Sequence, residues 1–245
     1  MTTERTTATR RLILRGAAAG LACAALPAAA SAAADRQTAS VPSGAREALP
    51  YGGELRFGVF REGSRIGDHV VRFARDGGLL AVEVAIDLEV RLGFIPLFRY
   101  AHRNREVWEG DRLVALDART DDNGTAYRVS VRRDGGSLRV DGSEGPATVP
   151  ADAMPTSYWR PDTVARSVFV NTQYGNVEDL SIRPAGPEAI EAGGRTVDAR
   201  RYLLQGSLAL DVWYAGDEWA KLAFTARGSR IDYVRDTPVR VAAAR

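Results

Sequence analysis

Apolar and polar residues alternate along most of this chain. Leu55, Phe57 and Val59 are separated by Arg56 and Gly58, and His69, Val71 and Phe73 by Val70 and Arg72. In the clearest run, Leu80, Val82, Val84, Ile86, Leu88 and Val90 share one parity, and Ala81, Glu83, Ala85, Asp87, Glu89 and Arg91 share the other. A side-chain period of two puts the first set on one face of an extended strand, whereas a helix would scatter it around the circumference. The same reading predicts strands near 98–109, 112–120, 125–133, 137–142, 188–192, 196–206, 207–214, 219–226 and 229–235. "REGSR", "RDGG" and "DDNG" supply turns, with Asn123-Gly124 suited to the positive φ of a tight hairpin. "GFIP" interrupts the pattern at Pro96.

Residues 143–187 are rich in Gly and Pro and less regular; Pro161 and Asp162 suit the start of one short helix. Successive strands without intervening helices exclude parallel crossover units. The expected fold is all-β: about ten to twelve antiparallel strands in a strongly curved sheet or partly open β-barrel, with at most one short helix. The irregular middle is expected to cover one side. Residues 50–237 form the single β-rich domain of this reading, and 238–245 a tail.

The N-terminus follows a different pattern. "TRRLILR" precedes an apolar, alanine-rich run that ends in Ala30-Ser31-Ala32. Basic, apolar and small-residue segments in that order mark an export signal over residues 1–34, cleaved near Ala32 or Ala34. The paired Arg10 and Arg11 suit the twin-arginine route, an ordinary secretory signal being the alternative. Residues 35–49 read as a flexible leader.

Removing the signal changes the charge picture. Four arginines and one glutamate leave with it, and the formal charge falls from +2 to −1. A near-neutral chain with interspersed signs has no electrostatic footprint for nucleic acid. The sole cysteine, Cys23, leaves too, so neither disulfide nor thiol chemistry is open to the mature chain. No second apolar run approaches the roughly 20 residues of a membrane-spanning helix. The expected location is periplasmic or extracellular.

The strand at 98–109 carries the candidate chemistry. Phe98, Tyr100, His102, Asn104, Glu106 and Trp108 share one parity; Arg99, Arg103, Arg105 and Glu109 share the other with Ala101 and Val107. The arginine face must meet water, so the aromatic face turns inward and takes three polar side chains with it. A buried polar group without a partner costs roughly 1–3 kcal/mol. The row therefore implies a satisfied network or a ligand-lined concavity, with Tyr100, His102, Asn104, Glu106 and Trp108 as candidate binding residues. The plainer alternative is a strand at a barrel mouth whose polar groups reach water.

His102 and Glu106 suggest an acid–base pair, but four residues of extended chain separate them by roughly 13 Å. No nucleophile elbow, phosphate loop or metal-ligand spacing occurs, and no catalytic residue, metal or cofactor is assigned. At the C-terminus, Trp213, Trp219 and Lys221 are expected on one outer face as a cross-strand group, with Ala220, Leu222 and Phe224 in the core.

"REGSRIGDH", "YAHRNREVWEGDRL", "DDNGTAYRV", "SYW" and "DVWYAGDEWAKLAFTARGSRIDYVR" together resemble an uncharacterised family of exported bacterial proteins with a β-rich domain of unknown function. The resemblance spans roughly 51–235. It implies fold and export, and no activity. A looser likeness is to half-open barrels that carry lipids or lipoproteins in the periplasm. The resulting expectation is an exported binding or envelope-accessory protein that holds an apolar or amphipathic, lipid-like small molecule. A hydrolase using Glu106 or His102 as base, and a structural protein with an aromatic patch around Trp213 and Trp219, are the alternatives.

Overall fold

The computed structural model describes residues 48–207 and 209–240. The expected export signal, nearly all of the leader and the last five residues lie outside them.

Eight strands follow one another as a meander: β1 (Glu54–Arg61), β2 (Ser64–Asp76), β3 (Leu79–Leu92), β4 (Ile95–Glu109), β5 (Arg112–Asp122), β6 (Thr125–Asp134), β7 (Ser137–Gly142) and β8 (Gly145–Pro150). Three short strands come next: β9 (Met154–Pro155), β10 (Val168–Val170) and β11 (Val177–Asp179). A second meander closes the chain: β12 (Ser181–Ala192), β13 (Arg195–Gln205), β14 (Leu210–Ala215), β15 (Glu218–Ala226) and β16 (Ser229–Arg235). The meanders join where β16 pairs antiparallel with β1, from Phe57 opposite Arg235 to Arg61 opposite Ile231. The result is one thirteen-stranded sheet, ordered β12-β13-β14-β15-β16-β1-β2-β3-β4-β5-β6-β7-β8. The all-β expectation holds, with more strands than the ten to twelve predicted.

The sheet stays open, and both edges show why it can. β12 carries Pro184 and Pro187, and β8 carries Pro146 and Pro150. Proline lacks the N–H that a further strand would need, so these edges resist pairing with another chain. Asn123 and Gly124 take φ of 53° and 92° between β5 and β6, the left-handed turn their identities suggested. The β3–β4 hairpin is the longest, and its end from Glu89 to Arg99 runs past both neighbouring strands. Its tip exposes Leu92, Phe94, Ile95 and Leu97, with Phe94 97% accessible.

Alternation places one face of the sheet in a single apolar core. Leu55, Phe57, Val71, Phe73, Val82, Val84, Leu116, Val131, Leu138 and Val212 all lie in it. The middle segment covers this face with Met154, Trp159, Phe169 and Val170, as expected. Its predicted helix is only a single 3-10 turn, Pro161–Ala165.

The C-terminal tryptophans depart from expectation. A bulge between Trp213 and Tyr214 places Trp213 opposite Lys221 but Tyr214 opposite Trp219. One extra residue reverses the facing of everything beyond it. Trp219 thus enters the main core against Phe57, with ring centroids 4.4 Å apart. Ala220 goes instead to a small outer cluster with Trp213, Ala215, Ala223, Ile190 and Val239. Trp213 is buried there, its Nε1 donating to Glu188 at 2.9 Å while Arg201 and Lys221 flank its ring. No exposed Trp213–Trp219 patch exists.

Candidate functional site

The inner row of β4 is real. His102, Asn104, Glu106 and Trp108 are at most 3% exposed, and Arg99, Arg103 and Arg105 point to solvent. Tyr100 is half-buried, with its hydroxyl wholly enclosed. The physical reason is the one given by the pattern: three guanidiniums on one parity force the opposite parity inward.

The row divides into two ends. At one end, Glu106 accepts three hydrogen bonds. Its Oε1 takes the Asn104 Nδ2 amide at 2.8 Å, and its Oε2 takes the indole N–H of Trp108 at 2.8 Å and of Trp159 at 2.9 Å. The two indoles meet edge to face at 5.8 Å. Arg160 lies 4.6 Å from the Trp108 ring and is itself held by both carboxylate oxygens of Asp162. Trp159 also accepts, through its carbonyl, the Tyr51 hydroxyl at 2.5 Å. Glu106 therefore fastens the covering segment to the sheet. A sealed carboxylate with three donors already in place has no route to a substrate proton, so this geometry lends the hydrolase reading no support.

At the other end the partners run out. His102 Nδ1 meets the Thr120 hydroxyl at 2.9 Å, and that hydroxyl donates to the Gln173 carbonyl at 3.2 Å. The hydroxyl proton is thus committed, which makes Nδ1 the protonated ring nitrogen of His102. Both ring nitrogens of His69, the Tyr100 hydroxyl and Asn104 Oδ1 are buried without a partner among the described residues. His69 and His102 sit in one cross-strand row, Phe57-His69-Ile86-His102-Thr120. The His69 ring is boxed by Phe57, Trp219 and Tyr233 at 5.4–5.9 Å, and Tyr100 stacks on His102 at 6.5 Å.

Burial governs the protonation of this end. It pushes His69 down to about 3, with His102 a lesser influence, and pushes His102 down to about 4, helped by Arg103. Tyr100, Tyr158 and Tyr233 are driven above the ordinary phenol range, again chiefly by burial. At neutral pH the end is polar but uncharged.

A wide concavity lies elsewhere. It measures about 850 Å³ and lies among the outward residues of the same strands, including Arg72, Arg103, Arg105, Arg119 and Arg128. Sequence reasoning had assigned that face to bulk water. It also underweighted His69, Thr120, Trp159 and Tyr233, which only folding brings to the row. The inward parity of His69 with Val71 and Phe73 was the one available signal. Among the described residues, no group of three His, Cys, Asp or Glu side chains is placed to hold a metal, and no helix is long and apolar enough to cross a membrane.

An open, barrel-like sheet with a polar inner row defines the class of this protein. Residues 57–236 match the domain of unknown function DUF6134, and the chain belongs to that family. No curated protein matches it. Among solved structures, it is similar to a β-barrel-like protein of the domain of unknown function DUF1849 from Brucella abortus. The TM-score is 0.56 at 7% identity, over 75% of this chain and 95% of that one. At that identity the likeness concerns the fold alone.

Proposed function

We propose that this is an exported binding or envelope-accessory protein that holds a small, uncharged, amphipathic molecule against the unpartnered end of the β4 row. One observation carries the reading: four buried polar atoms, on His69, Tyr100 and Asn104, lie along the inner face without a partner among the described residues. Each such atom costs stability unless something else completes it. His69 offers one donor and one acceptor, Asn104 an acceptor, and Tyr100 either.

The ligand's polar end is expected to be neutral, a hydroxyl or amide. Both histidines are held uncharged, so nothing at this end of the row compensates an anion. Its apolar body would lie against Phe57, Trp219 and Tyr233. Of the five candidate residues, Tyr100, His102 and Asn104 contact the ligand in this reading, and Glu106 and Trp108 hold the wall behind it. The export signal belongs to the proposal and supplies the compartment.

Native mass spectrometry of the mature protein, purified without detergent, tests it. A bound species of defined mass is expected in the wild type and absent in a folded His69→Phe/Tyr100→Phe variant. Wild-type protein that carries no such species, and takes up none from an envelope lipid extract, overturns the reading.

A further inference from the structure

The backbone register sets three arginines side by side on the outer face. Arg103 on β4 lies opposite Arg119 on β5, and Arg119 lies opposite Arg128 on β6. Like charges directly across a sheet repel and destabilise it. Elsewhere in the concavity this sheet neutralises its arginines. Arg103 grips both oxygens of Asp87 at 2.7 and 2.9 Å and also donates to the carbonyls of Ile86 and His102. Arg72 pairs with Glu54 at 3.1 Å and Arg105 with Glu83 at 3.8 Å. Arg132, one row along, repeats the grip of Arg103 on Asp117 and two carbonyls.

Arg119 and Arg128 stand apart. Neither side chain has an ion pair or a hydrogen bond with any of the described residues, although Asp117 and Asp141 line the same concavity of about 850 Å³. The register brings two forks of guanidinium N–H groups to one concavity, and a phosphate is the group whose oxygens such forks recognise.

We propose that Arg119 and Arg128 form a binding site for a phosphate group, carried by a small phosphorylated molecule or by a lipid headgroup. The ligand supplies the negative charge that the row lacks. Glu83, Asp117 and Asp141 around the rim oppose an extended polyanion and favour one compact group. The site lies on the opposite face of the sheet from the inner row and does not depend on what that row binds.

Titration calorimetry of the mature protein with inorganic phosphate at low ionic strength provides the test, with circular dichroism to verify folding. Saturable binding that weakens with salt is expected. Arg119→Gln and Arg128→Gln should each weaken it about tenfold, the double variant should abolish it, and Arg200→Gln on β13 should leave it unchanged. In phosphate-free buffer, Arg128→Gln should raise the thermal midpoint by relieving the repulsion, and phosphate should then give a smaller further rise than in the wild type. Co-sedimentation with phosphatidylglycerol vesicles, lost in the double variant, supports the site and places the phosphate on a lipid. Binding to free phosphate without vesicle binding supports it and places the phosphate on a soluble molecule. Absence of saturable binding in both arms, or equal binding by the double variant, overturns the proposal.

Discussion

Glu106 and His69 are both buried in the same interior, yet Glu106 accepts three hydrogen bonds and the His69 ring finds no partner among the described residues. The carboxylate gathers donors from two elements and ties the middle segment to the sheet. The imidazole lies among the rings of Phe57, Trp219 and Tyr233, with Ile86 opposite it on β3. Burial alone therefore does not separate a structural polar group from a functional one. What separates them is whether the protein itself completes the hydrogen bonds.

Acid should attack the His69 end first, and with the largest effect. Folded His69 and His102 stay neutral down to about pH 3 and about pH 4, whereas an unfolded histidine takes up its proton near pH 6.5. Between those limits the unfolded chain binds more protons, so stability falls as pH falls. From pH 7 to pH 4 the two together should remove about 6 kcal/mol, read from urea midpoints across the range. His69→Phe should abolish roughly half of that slope; an unchanged slope would mean that the carboxylates, not the histidines, govern it.

Next in size is the other end. Glu106→Ala leaves two indoles and an amide buried without an acceptor and should cost about 4 kcal/mol in equilibrium unfolding. A loss below about 1 kcal/mol would show that the covering segment is held without it. The smallest effect has the opposite sign. At pH 7 His69→Phe replaces two unsatisfied nitrogens by apolar atoms of similar shape and should stabilise the unliganded protein by about 1 kcal/mol. A destabilised variant would mean that the imidazole already has a partner, and the contrast between the two ends would disappear.

The β4 row was legible because its arginines leave the opposite parity nowhere to go but inward. The division of that row was not, because the donors that complete Glu106 include Trp159, fifty-three residues away. The facing of Trp219 was hidden by a single bulge residue, which leaves the alternation on either side intact while reversing its sense. β12 was only partly visible, since Pro184 and Pro187 argue against a strand unless it lies at an edge, and edge position is a property of the whole sheet. The two- and three-residue strands of the middle segment are too short to carry any period. The pairing of Arg119 with Arg128 was not legible, because their being opposite each other depends on a register that no local pattern states.

The seam between β1 and β16 has a mechanical consequence. Its two strands are antiparallel, so the beginning of β1 and the end of β16 lie at the same end of the ladder, Phe57 beside Arg235. Force applied through the two termini therefore loads one hydrogen-bonded pair at a time, in the manner of a zipper, rather than shearing all of them together. A machine that pulls on both termini would part the molecule there first, into an eight-strand and a five-strand half.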